Sequence, residues 1–114
     1  MKIFESWMSA QKDRVWIACP FIDSLGVAMI NTAAHGEVKI ICRRGKDIVD
    51  LRPGIALKLS AKIHVKLYIG DRSFLFGSPN LNLASFMTNQ ELLMRFTEKK
   101  ILEKAMLYFD VLWA

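Results

Sequence analysis

Two short apolar runs, one helix length apart, constrain the fold of this chain more than anything else in it. Arg14–Pro20 (RVWIACP) carries the Val, Trp and Ile that suit a buried strand, and Glu37–Cys42 (EVKIIC) reads as a second. Between them Asp23 is placed to cap a helix running through about Asn31, and Gly36 after Ala33-Ala34-His35 is a stop signal. Strand, helix, strand in that order predicts a right-handed βαβ unit and therefore parallel pairing.

The rest of the chain extends this unit. Ile3, Phe4, Trp7 and Met8 mark one face of a first helix, and Pro53-Gly54 marks a turn with a short helical segment after it through about Ser60. Three strand-like stretches follow: Lys62–Ile69, Ser73–Ser78 and Gln90–Phe96. A closing helix over Glu98–Trp113 is apolar on more than one face, which places it in a core or an interface. The expected fold is α/β, a mixed, largely parallel β-sheet flanked by helices. At 114 residues it is expected to be one domain spanning 1–114.

Charge and cysteine usage narrow the function classes. The net charge is +5, from 16 Lys and Arg against 11 Asp and Glu, which favours polyanionic partners, nucleic acid before anionic lipid. Hydrophobic residues make up 53%, an apolar excess for so short a chain that suggests burial against a partner. The longest apolar stretch, Val15–Ile22, contains a proline and is far short of the ~20 residues that cross a bilayer. The first residues, with charges throughout, read as an amphipathic helix rather than a signal peptide. Cys19 and Cys42 read as buried core thiols rather than a disulfide framework or zinc site. A reducing, cytoplasmic setting without stable membrane insertion is expected.

The chemistry is concentrated in HVKLYIGDRSFLFGSPN, residues 64–80. Along a strand, His64 and Lys66 share one face while Ile63, Val65 and Leu67 share the other. Two basic side chains held together call for an anion between them. Gly77-Ser78-Pro79-Asn80 then offers close backbone approach with a hydroxyl and an amide that donate to phosphate oxygens. Glu91 is a carboxylate able to hold an imidazole in one tautomer. Taken alone, the Gly-Ser-Pro-Asn segment is a turn and Glu91 a solvated strand-edge charge. Arg43-Arg44-Gly45-Lys46 follows a strand directly, either as a phosphate-contacting basic turn or as a solvated loop.

Together these residues resemble the phospholipase D superfamily signature, HxKx4D followed by GSxN. His64, Lys66 and Asp71 match the first part, and Gly77, Ser78 and Asn80 match the second. The spacer Arg72–Phe76 has five residues where the commonest pattern has six, a shortening that tightens a hairpin and removes no functional group. Asn89-Gln90-Glu91 resembles the N-x-E that often follows the signature.

The resemblance implies a mechanism. His64 attacks phosphorus to form a covalent phosphohistidine, and a second histidine protonates the leaving oxygen and then activates water. Lys66 and Asn80 hold the non-bridging oxygens, Ser78 assists by hydrogen bonding, Glu91 orients His64, and Asp71 is structural. No metal or other cofactor is called for. The only other histidine, His35, falls at a helix end, so one motif is half a site. An isologous homodimer would complete it.

The leading expectation is a metal-independent phosphodiesterase, an endonuclease of low sequence specificity acting on DNA or RNA. Arg43, Arg44 and Lys46 are its candidate substrate contacts, and Lys58 and Lys62 beside the motif add to the preference for a polyanion. The alternatives are a lipid phosphodiesterase or phosphatidyltransferase using the same groups, and a non-catalytic nucleic-acid-binding or regulatory module.

Overall fold

The computed structural model describes residues 2–82, 85 and 91–114. A six-stranded mixed sheet runs in the order β3-β2-β1-β4-β5-β6, with β1 at Arg14–Ala18, β2 at Glu37–Cys42, β3 at Ala56–Leu59, β4 at Leu67–Ile69, β5 at Phe74–Gly77 and β6 at Leu93–Phe96. Helices α1 (Lys2–Ala10) and α2 (Ser24–Ala33) cover one face, and α3 (Lys99–Trp113) covers the other. Strand alternation makes the layers. Val15, Ile17, Cys19, Val38, Ile40, Cys42, Tyr68 and Leu75 face α1 and α2. Trp16, Ala18, Ile41, Leu67, Ile69 and Phe74 face α3 through Leu102 and Phe109.

The βαβ expectation holds. β1 and β2 pair in parallel, with Arg14 opposite Glu37 and Ala18 opposite Ile41. Asp23 caps α2 by accepting from the Gly26 N–H at 3.1 Å, and Gly36 turns the chain into β2 with φ of 74°. A glycine is required at Gly26 for another reason: a Cβ there would lie 2.0 Å from the Leu81 carbonyl oxygen, so helix and post-motif chain touch backbone to backbone.

The sheet is mixed, as expected, but its parallel share is confined to β1-β2-β3. The pairings β1-β4, β4-β5 and β5-β6 are antiparallel, three against two. Five further expectations need correction. The segment after Pro53-Gly54 is strand β3, not helix. Ala, Leu and Lys favour helix, but a stretch this short cannot sustain one alone, and the open edge of β2 supplies ladder partners. The stretch from Lys62 is paired only from Leu67 to Ile69; Lys62 lies in a turn and residues 63–66 approach unladdered. β5 is shorter than Ser73–Ser78, and β6 begins at Leu93. In α1 the buried stripe is Phe4, Trp7 and Met8, while Ile3 is 84% exposed. Finally, Asp47–Asp50 forms a 3₁₀ turn that no sequence signal announced. α3 does show two apolar faces: Leu102 and Phe109 are buried, and Leu107 and Val111 are exposed.

Candidate active site

β4 enters where β1 ends, since Ala18 pairs with Leu67. β5 exits there, with Phe76 opposite Leu67, and β6 begins there, with Leu93 opposite Gly77. The motif halves His64-x-Lys66 and Gly77-Ser78-x-Asn80 are thus laid side by side with Glu91 and with the loops after β1 and β2. β1 is also where chain order departs in both directions across the sheet, the position at which α/β sheets place ligands.

Gly77 and Ser78 fasten this end together. A Cβ on Gly77 would sit 2.0 Å from the Leu92 carbonyl oxygen, so only glycine permits the approach. The Ser78 N–H donates to that oxygen at 2.8 Å, and the Ser78 hydroxyl accepts the Leu92 N–H at 2.8 Å and donates to Leu92 O at 3.4 Å. Two residues of the signature therefore hold the chain immediately after Glu91.

Asn80 is anchored from the loop after β1. Its Oδ1 accepts the Phe21 N–H at 3.2 Å and the Cys19 thiol at 3.4 Å. Because a backbone N–H needs an acceptor, this network fixes the amide orientation and leaves Nδ2 as the donor. Beneath the turn, the buried Tyr68 hydroxyl donates to Pro79 O at 2.5 Å and the ring packs edge-on to Phe4, 4.7 Å between centroids. Burial raises the Tyr68 pKa well above 10.0, and the nearby Cys19 and the Glu91 carboxylate add to the effect. Burial likewise raises Cys19, opposed by its hydrogen bonds and, more weakly, by the Lys66 ammonium. The turn that carries Asn80 thus rests on a floor made by Cys19 and Tyr68, two residues that sequence reasoning missed, with the charges of Lys66 and Glu91 in electrostatic reach of it. The signal for Tyr68 was available, since a tyrosine inside an apolar strand needs a partner for its hydroxyl.

His64 is exposed at the entrance to β4, two residues from half-buried Lys66. The preceding carbonyl, Ile63 O, accepts Arg43 Nε at 2.9 Å, while Ile63 itself is buried on the α3 side. Arg43 is further held by its N–H to Pro20 O at 3.0 Å, and its guanidinium lies 5.1 Å from the Phe21 ring centroid. Arg44 is exposed and lines a cavity beside Phe21. Lys46 is exposed one residue before the 3₁₀ turn. Lys58 belongs elsewhere: its Nζ donates to the Trp113 and Ala114 carbonyls at 2.7 and 2.6 Å, at the C-terminus of α3.

Asp71 and His35 lie at the opposite end of the sheet. Asp71 follows β4 and accepts from the N–H groups of Lys12, Asp13 and Arg14, just before β1. His35 precedes β2, so the length of that strand, roughly 17 Å, separates its end of the sheet from His64's. Asn89 and Gln90 lie outside the described residues. Among the described residues no group of three or more His, Cys, Asp or Glu is placed to hold a metal ion, and no helix is long and apolar enough to cross a membrane.

No protein-family model and no curated protein matches this sequence. Solved structures do match. NucT from Helicobacter pylori aligns with a TM-score of 0.80 at 21% identity over 96% of this chain and 84% of its own. Nuc from Salmonella typhimurium, a phospholipase D family member, aligns with a TM-score of 0.79 at 21% identity over 98% and 85%. The chain has the phospholipase D fold. TrmBL2, an archaeal chromatin protein whose structure shows a novel mode of DNA binding, aligns with a TM-score of 0.71 at 16% identity. This chain covers 98% of itself but only 47% of TrmBL2 in that alignment.

Proposed function

We propose that this protein is a phosphodiesterase that cleaves nucleic acid through a covalent phosphohistidine on His64. The observation that carries the reading is the meeting of both motif halves at one end of a phospholipase D fold, with Asn80 oriented to donate and the Glu91 chain segment held by Ser78.

In this mechanism a His64 nitrogen attacks phosphorus as the bond to the leaving oxygen breaks, and that oxygen takes a proton from His64 of a second copy. The same second imidazole then removes a proton from water, whose oxygen displaces His64 and releases the phosphate product. Lys66 and Asn80 Nδ2 hold the non-bridging oxygens as charge builds on them. Glu91 orients an imidazole, Ser78 positions Glu91 through Leu92, and Gly77 and Asp71 hold the hairpin that presents them. Arg43, Arg44 and Lys46 contact the flanking backbone, in line with the charge of +5. The second copy is needed because His35, the only other histidine, is at the wrong end of the sheet. The exposed Leu92, Leu107 and Val111 favour association.

The test is cleavage of single-stranded DNA, duplex DNA, RNA and a lipid phosphodiester in excess EDTA. Nuclease activity that persists in EDTA and disappears in His64→Ala is the expected result; full activity in that variant removes His64 as nucleophile. The likeness to TrmBL2 favours a second reading, a module that binds DNA without cutting it. That reading predicts salt-dependent retention of DNA with no product from the wild type.

A further inference from the structure

We infer that Phe21 is a stacking platform for one unpaired base of the substrate, so that the site takes single-stranded or frayed nucleic acid. The inference rests on the nucleic-acid reading and names its substrate class. Phe21 follows β1 at the active end of the sheet, and its side chain is 51% exposed. A lone exposed aromatic would need no explanation. This one is held in place twice: its N–H is bonded to Asn80 Oδ1 at 3.2 Å, and its ring lies under the Arg43 guanidinium at 5.1 Å. Arg43 is in turn bonded through Nε to Ile63 O, next to His64. An exposed aromatic residue is thereby tied to both halves of the motif.

Beside the ring is a cavity of about 200 Å³, bordered by Phe21, Asp23, Arg43, Arg44 and Asn82. Pockets that enclose a whole drug-sized ligand run to roughly 300–1,000 Å³, so this one suits a single ring rather than a nucleotide. Its lining is of two kinds. Arg43 and Arg44 match a phosphate. The Asp23 carboxylate, which also caps α2, disfavours a second anion beside it, and Nδ2 of Asn82 suits the carbonyl edge of a base. A base within a duplex is already stacked on its neighbours and paired, and cannot enter without being unstacked. Base–aromatic stacking tolerates any sequence, which fits the low sequence specificity expected of this chain.

The experiment uses the full chain carrying His64→Ala, so that binding is read without turnover. It is titrated with a single-stranded oligonucleotide containing 2-aminopurine and with the matching duplex, at one salt concentration. Phe21→Ala is expected to weaken single-strand binding by about 5- to 150-fold and to abolish the 2-aminopurine quenching, with duplex binding unchanged. Phe21→Trp is expected to keep both, and Phe21→Leu to behave as Ala. Unchanged single-strand affinity in Phe21→Ala, equal losses for strand and duplex, retention by Phe21→Leu, or conversion of a dimer to monomer by Phe21→Ala would each overturn the inference. A wild type that stacks the probe but cuts nothing in EDTA sustains the platform while removing the phosphodiesterase reading.

Discussion

Asp71 accepts N–H groups from three consecutive residues, at 2.7 Å from Lys12, 2.9 Å from Asp13 and 3.0 Å from Arg14. Burial works to raise its pKa, but those three bonds and the Arg14 guanidinium outweigh it and hold the carboxyl below its ordinary 3.8. A depressed carboxyl contributes stability that is complete above the unfolded pKa and is lost as pH falls through the folded one. Wild type should therefore exceed Asp71→Ala in urea-unfolding stability by a constant margin above about pH 5, and the margin should shrink steadily in more acid solution. A margin independent of pH would mean that the carboxylate is not what joins the hairpin to β1. The same residue shows what a sequence discloses at this scale. His64, Lys66, Asn80 and Glu91 were legible because their chemistry is written in their side chains. Cys19, 61 residues from the Asn80 it supports, was not legible as more than a core thiol, because its role comes from where the sheet places it.

Hairpins and crossovers carry the next level of order. The β4–β5 connection closes on a Gly70 N–H to Ser73 O bond of 2.9 Å around Asp71-Arg72, a tight turn that accommodates the five-residue spacer between Asp71 and Gly77. Gly77→Ala should then cost roughly 1–3 kcal/mol, the range for forcing atoms into a packed site, because the new Cβ meets a carbonyl oxygen rather than a flexible side chain. It should also depress cleavage beyond what the stability loss explains, since Glu91 directly precedes Leu92; urea titration beside activity measured well below the melting temperature separates the two. The elements that sequence disclosed are those with strong local signals, such as the capped α2 and the buried β1 and β2. β3 was misread because its four residues are largely exposed, so propensity pointed one way and the open edge of β2 decided the other.

At the scale of the whole molecule, a site shared by two copies has a signature that neither residues nor elements have. If each composite site needs His64 from both chains, mixing wild type with His64→Ala under conditions that allow exchange should lower specific activity as the square of the wild-type fraction. A linear fall would show that each chain works alone. The overall α/β architecture was legible from the βαβ pattern; the antiparallel half was less so, because β4, β5 and β6 are only three or four residues long and their order depends on long-range pairing. That pairing also sets when the molecule can form. β1 is bordered on one side by β2 and on the other by β4, where Trp16 meets Ile69 across 53 residues. Until Ile69 has been synthesised, one flank of the central strand has no partner and the core lacks Tyr68. Folding during translation should thus be withheld and then collective, a late closure set by loop entropy rather than a stepwise addition of strands from the N-terminus.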